Sequence, residues 1–324
     1  MDLNKIAAID IGSNAVRMLI SYVIKSNNRE LHFQKNSYLR LPLRLGEDSF
    51  KNKSISENKI ETLINAINSM KYIMKVHNVK YYLAYATSAL REAKNSDIII
   101  SKIKNDTGIG IEIIDGLREA RIISNAKPIE KNNPFRKNLY VDVGGGSTEL
   151  SFVQNGEKTI SKSFNIGTVR DLNKGNTDDV WNEIKTWMKD HLDPDFKLRL
   201  YATGGNINKI QYLTKTKTGK PISYFSMITL LNNLSKINFE ERILEYNLNP
   251  DRADVIVPAL KIFLKTMEWS GSNKVYVPKV GLVDGMIKEA VSYTHLRAHE
   301  TLRYLVWPLV GEKKKWGGGG GGGG

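Results

Sequence analysis

Two segments of the chain carry the same arrangement of residues able to do chemistry. One is Ala8-Ile9-Asp10-Ile11-Gly12-Ser13-Asn14, which continues to Leu19. The other is Tyr140-Val141-Asp142-Val143-Gly144-Gly145-Gly146-Ser147-Thr148-Glu149-Leu150. Each reads as an apolar strand ending in an Asp, a glycine turn and a second apolar strand. A turn tight enough to lay backbone N–H groups against phosphate oxygens needs positive φ and no Cβ in the way. Gly12, Ser13 and Asn14 on one side, and Gly144, Gly145, Gly146, Ser147 and Thr148 on the other, are therefore candidate phosphate-binding residues. Asp10 and Asp142, at strand ends, can hold a cation or its waters. A single glycine-rich hairpin is as often only a turn. Two matched copies, each with Asp two residues before Gly, favour a phosphate and cation site. A third turn, Thr203-Gly204-Gly205-Asn206, follows a strand (Lys197–Tyr201) and precedes a helix-like stretch, which adds Gly204 and Gly205 to the set.

The elements that position these turns follow from periodicity. Recurrence of one unit about 130 residues apart points to a duplicated domain. Ser54-Ile55-Ser56-Glu57 reads as a capping box. After it, Ile60, Leu63, Ile64, Ile67, Met70, Ile73 and Met74 fall at helical spacing and predict core packing. Tyr81–Ala86 reads as a strand, Ile98–Asn105 as part of a helix, Ile111–Ile114 as a strand. Strands alternating with helices predict an α/β fold.

The 324 residues suit about two domains. No cysteine is present, which excludes disulfides, thiolate chemistry and Cys-ligated metals and fits a reducing cytoplasm. The N-terminus lacks the basic start and apolar run of a signal peptide. The apolar stretch Ala7–Ile20 is interrupted by Asp10, Asn14 and Arg17 and is too short to span a bilayer, so no membrane partner is expected. The net charge of +14 has two readings: a compositional excess of Lys, Asn and Ile, or a field that attracts polyanions. No DNA- or RNA-binding motif appears, so DNA is not an expected partner.

The stretch after Ala290 stands apart. Val291-Ser292-Tyr293-Thr294-His295-Leu296-Arg297-Ala298-His299-Glu300-Thr301 reads as one frame of a transposase-type sequencing adapter. Lys313–Lys315 and Gly317–Gly324 read as homopolymer runs. The expectation is that residues 291–324 are translated read-through, and that His295 and His299 take no part in chemistry. The competing reading is a His-bearing tail with a flexible glycine linker.

Taken in order, the motifs resemble the exopolyphosphatase / guanosine pentaphosphate phosphatase family, a branch of the actin and sugar-kinase superfold. Besides the two hairpins these are Ala86-Thr87-Ser88-Ala89-Leu90-Arg91-Glu92-Ala93, Ile111–Gly116 with Glu119-Ala120-Arg121, Gly167-Thr168-Val169-Arg170, Thr203-Gly204-Gly205 and Gly281-Leu282-Val283-Asp284-Gly285. The resemblance covers about Lys5 to Ala290 and implies the short two-domain form. It implies two actin-like (ribonuclease H-like) domains facing across a cleft: residues 5–116 plus 281–290, and residues 117–280. It implies that Glu119 activates water, and that a divalent cation, Mg²⁺ or Mn²⁺, sits near Asp142 and Glu149, with Asp10 acting through water. Arg91, whose planar fork suits two phosphate oxygens, is the expected clamp. The chain departs from the family pattern at Arg118, where a second glutamate is usual, and at Asp115, where Ser is usual. Arg118 is expected to lower the pKa of Glu119 or to bind phosphate. Arg17, Arg40 and Arg44 stay open between surface and substrate channel.

The expected reaction is release of the terminal phosphate from inorganic polyphosphate, with a phosphorylated guanine nucleotide as the alternative substrate. The expected setting is cytoplasmic, and a homodimer is retained as a candidate assembly. Rival readings are a small-molecule kinase of the same superfold, which needs a nucleoside pocket and an acceptor site, and a non-catalytic alarmone-binding protein, which would dispense with Glu119.

Overall fold

The computed structural model describes residues 3–25, 31–126, 136–154, 157–170, 177–193, 197–296 and 307–308. In chain order its strands are β1 (Leu3–Ile11), β2 (Val16–Lys25), β3 (Leu31–Leu41), β4 (Tyr81–Ala86), β5 (Glu112–Ile113), β6 (Arg136–Val143), β7 (Thr148–Gln154), β8 (Glu157–Phe164), β9 (Lys197–Thr203), β10 (Ile222–Ser223), β11 (Lys274–Tyr276) and β12 (Trp307–Pro308). They form two sheets. In the first, the order is β3-β2-β1-β4, with β5 and β12 both paired to β4. In the second it is β8-β7-β6-β9-β11-β10. In both, three antiparallel strands lead into a parallel partner of the first strand. The duplicated hairpin is thus embedded in a duplicated sheet.

The apolar run of β1 is continuous because both faces of its sheet are covered. Ala7, Ile9 and Ile11 pack with Leu63, Ile67, Met70 and Met74 of helix Glu57–Val76, so the Met/Ile stripe is core. Ile6 and Ala8 face the other way, against Ile122 and Ile123 of helix Gly116–Asn125 and Leu282, Met286, Ile287 and Val291 of helix Leu282–Leu296. The second sheet has its own core, built on Leu139, Val141, Val143, Leu150 and Phe152. Helix Gly116–Asn125 also meets β8, where a Cβ on Gly116 would lie 2.4 Å from Ser163 Cβ. It therefore spans the two units.

One local expectation is corrected. The capping box at Ser54 does not form: the helix starts at Glu57, and Ser56 donates its N–H and hydroxyl to Asp48 (3.0 and 2.5 Å). The stretch Ile98–Asn105, expected as part of a helix, lies within helix Ser96–Thr107. Val291, placed in the expected tail, is 2 % exposed within the core of the first unit. Residues 297–306 and 309–324 of that tail lie outside the described residues. Among the described residues no helix is long and apolar enough to cross a membrane.

Candidate active site

The two hairpins meet across a cavity of about 300 Å³ whose walls include Asp10, Ser13, Asn14, Glu119, Asp142, Gly145, Ser147, Gly204 and Arg252. Each wall has a local cause. Asp10 and Asp142 occupy the penultimate positions of β1 and β6, and each faces the residue seven places on across its hairpin. Asp10 pairs with Arg17, and Asp142 with Glu149. The same register position thus holds opposite charges in the two copies. Arg17 Nη1 donates to Asp10 Oδ2 at 2.6 Å. Asp142 instead accepts from Thr203 Oγ1 at 2.5 Å, and Thr203 is its parallel partner on β9.

Glu119 stands in the first turn of helix Gly116–Asn125. Asp115 caps that helix, its carboxylate accepting from the Arg118 N–H at 2.7 Å. Replacing Ser by Asp there keeps a good capping residue. One residue along a helix is about 100° around its axis, and here that separation decides the chemistry. Glu119 turns into the cleft. Arg118 turns away to Glu112, the Tyr85 hydroxyl (2.9 Å) and Glu289 (3.4 Å). The expectation that Arg118 tunes Glu119 or binds phosphate is therefore corrected. The cation near Glu119 is Arg91, whose Nη1 lies 3.7 Å from Glu119 Oε2 and donates to the Ile114 carbonyl at 2.8 Å. Arg91 stands beside the carboxylate and is not among the residues lining the cavity.

The glycine turns divide their labour. Gly12 and Gly144 donate N–H within their own turns, to Ala15 O (3.2 Å) and Ser147 O (2.9 Å), so their contribution is to the shape of the loop. The N–H groups of Ser13, Asn14, Gly145 and Gly146 close neither turn. Ser13 Oγ lies 2.8 Å from Ser88 Oγ, and Asn14 Nδ2 donates to Asp251 O at 3.2 Å. Thr148 turns inward and donates to Ile166 O at 2.7 Å. Gly204 has φ 93°, in the region that favours glycine, and a Cβ there would crowd Asp142 Oδ1 at 3.1 Å. Gly205 gives Arg252 room: a Cβ would lie 2.5 Å from its Nη2.

Burial dominates the electrostatics. Asp10 is 2 % exposed and Glu149 3 %. Burial pushes the Asp10 carboxyl up, with Arg17 opposing and Asp142 adding to the rise. Burial, then the neighbouring Glu149, holds Glu119 well above the ordinary carboxylate range. Glu149 is pushed up to about 7 by burial and by Asp142, against hydrogen bonds from Ser147 and Ser163. Arg252 is lowered to about 10 by burial and by Arg40 and Arg17. Asp10, Glu119 and Asp142 thus line one cavity, Glu149 stands beside them as a neighbour of Glu119, and Glu119 Oε2 has no hydrogen-bond partner. Such a set fits a divalent cation. Among the described residues, however, no three His, Asp or Glu side chains stand close enough to hold a metal alone.

Sequence reasoning left Arg17 open and missed Arg252. For Arg17 a signal existed: a hairpin centred on Ser13–Asn14 puts residue 17 opposite residue 10. For Arg252 there was none, since it lies far along the chain from every motif. Arg40 and Arg44 reach the second unit instead of the cavity, pairing with Asp251 (2.5 Å) and Asp254.

Comparison with known proteins agrees with this arrangement. Residues 23–294 match the model of the Ppx/GppA phosphatase family. A bifunctional 3-dehydroquinate synthase/phosphatase of Fusobacterium nucleatum is 31 % identical over 310 residues, covering 88 % of this chain and 46 % of that protein. Exopolyphosphatase 1 of Mycobacterium leprae is 27 % identical over 192 residues, covering 59 % of this chain and 56 % of that one. The chain thus spans about half the length of these relatives. The crystal structure of an exopolyphosphatase from Cytophaga hutchinsonii superposes with a TM-score of 0.76 at 22 % identity, covering 90 % of this chain and 98 % of that one. The fold is the actin-like one expected.

Proposed function

The chain belongs to the Ppx/GppA phosphatase family, and on that premise we propose that it releases the terminal phosphate from inorganic polyphosphate by attack of a water activated by Glu119. The observation that carries the reading is the convergence of two glycine hairpins and the carboxylates of Asp10, Glu119 and Asp142 on one cavity, with Glu149 buried beside them. Phosphoryl transfer asks for charge neutralisation and in-line placement more than for covalent chemistry. The amides of Ser13, Asn14 and Gly145 are suited to grip phosphate oxygens from two sides. Glu119 Oε2, lacking a hydrogen-bond partner, is suited to accept a proton from water. The water oxygen bonds to the terminal phosphorus as the bridging P–O bond breaks, and the shortened chain leaves with the electron pair. Mg²⁺ or Mn²⁺ would be held by Asp142 and Glu149, with Asp10 through water, and would neutralise charge on the transferred group. Arg91 is suited to steady Glu119, and Gly204 and Gly205 to keep the floor open beside Asp142 and Arg252. A cytoplasmic setting belongs to the same proposal.

A guanosine pentaphosphate offers the same terminal phosphoanhydride and is the second substrate to try. The test is phosphate release from long-chain polyphosphate, guanosine pentaphosphate and ATP, each with Mg²⁺ and with excess chelator. Polyphosphate should be turned over fastest and chelator should abolish release. Turnover of ATP alone, with transfer to an acceptor, would replace the reading with a kinase.

A further inference from the structure

The segment Gly167-Thr168-Val169-Arg170 has no part in the reaction as described, yet it packs on the Gly144–Gly146 turn, with Thr168 reaching the cavity wall. Three consecutive bonds join the two. Thr168 N–H donates to Gly144 O at 3.0 Å, Val169 N–H to Gly145 O at 2.8 Å, and Arg170 Nε to Gly146 O. The approach is so close that a Cβ on Gly167 would lie 2.5 Å from Gly145 O. The segment is therefore a splint that fixes where the turn's N–H groups point, since the Gly144 carbonyl shares one planar peptide unit with the Gly145 N–H, and the Gly145 carbonyl with that of Gly146.

Arg170 then leaves the second unit. Its Nη2 donates to Glu92 of helix Ser88–Glu92, and its guanidinium lies 4.1 Å from the centre of the Phe50 ring. Both partners belong to the unit built on the first sheet. Glu92 ends the helix that begins with Ser88, and Ser88 bonds to Ser13 of the opposite hairpin. Phe50 reaches the turn as well: a Cβ on Gly146 would lie 2.2 Å from its Cζ. One guanidinium thus joins the backbone of one phosphate turn to the helix that buttresses the other.

We propose that Arg170 is a positioning residue that sets the spacing between the two phosphate-gripping turns and so couples closure of the cleft to turnover. The inference rests on the phosphatase reading above. The planar fork suits the task, because it can bond a carbonyl and a carboxylate at once while stacking on a ring. Misplacing a gripping group by about 1 Å can cost on the order of a hundredfold in rate.

The test uses the whole chain with two readouts. Arg170→Gln should lower kcat/KM for polyphosphate by about tenfold or more, chiefly in kcat, with Tm close to wild type. Glu92→Gln should do the same more weakly, and the double variant should lose little beyond Arg170→Gln alone, as expected for two members of one link. Arg170→Lys keeps a charge for Glu92 but not the fork, and should restore only part of the rate. The second readout needs no activity. The chain has no cysteine, so spin labels at Glu61→Cys and Lys236→Cys report the distance between the units. Arg170→Gln should lengthen and broaden that distance. Wild-type kcat/KM in Arg170→Gln, an unchanged distance, or a rate loss matched by a loss of folded protein in both single variants would each overturn the proposal. A wild-type protein that releases no phosphate would sink the reaction instead, with the distance measurement still testing the link.

Discussion

Asp10, Glu119 and Glu149 each stand beside another carboxylate, and that, together with burial, sets how tightly each holds a proton. If Glu119 is the base, Glu119→Gln should keep polyphosphate binding and lose about a hundredfold or more in kcat. Near-normal turnover would leave Glu149 as the next suspect, because Glu92 is bound to Arg170. Glu149 gives a prediction about stability. Its folded pKa of about 7 lies above its ordinary 4.5. Folding therefore favours its protonated form; this contribution is full below about pH 4.5 and is lost as pH rises through 7. Glu149→Gln, neutral at every pH, should thus melt above wild type at pH 8 in chelator, by about 2–4 °C per kcal/mol relieved, and equal it at pH 4. Divalent cation should shrink the difference; a gain at pH 4 as large as at pH 8 would rule out the titration. The aspartates and Glu149 could be read from the hairpin pattern and the motifs around it. The direction of Arg118 could not, because a string of residues does not say which side of a helix faces the cleft.

At the scale of elements, the crossing of helices Gly116–Asn125 and Leu282–Leu296 holds the Glu119 segment in place. They touch at Gly285, where a Cβ would lie 2.0 Å from Ile122 O. Gly285→Ala should force the helices apart at a cost of about 1–3 kcal/mol. It should also lower kcat, since the displaced helix carries Glu119. Calorimetry and phosphate release measure the two effects, and an unaltered Tm would show that the crossing yields without cost. The sequence marked Gly285 as part of a motif, and the alternation of strands and helices made the α/β class legible. It did not show that the glycine is needed for a helix–helix contact, because its partner lies some 160 residues earlier in the chain. The Arg170 bridge was hidden for the same reason: it joins residues 78 apart.

At the scale of the whole molecule, the unit built on the first sheet is made from both ends of the chain, and the second is set between them. Deleting residues 297–324 should change neither Tm nor turnover. Cutting back to remove Val291 should cost about 1–3 kcal/mol, since that buried side chain closes the core over Ile6 and Ala8. Equal melting of the two truncations would place the end of the folded body before Val291. This construction also bears on how the protein is born. Synthesis runs from β1 onward, so the second sheet and its helices leave the ribosome while one face of the first sheet still waits for Leu282, Met286 and Ile287. The later-made unit can settle first, whereas the earlier one keeps an open apolar face until helix Leu282–Leu296 has emerged. A nascent chain accordingly has both glycine turns well before it has the helix that packs against the Glu119 segment.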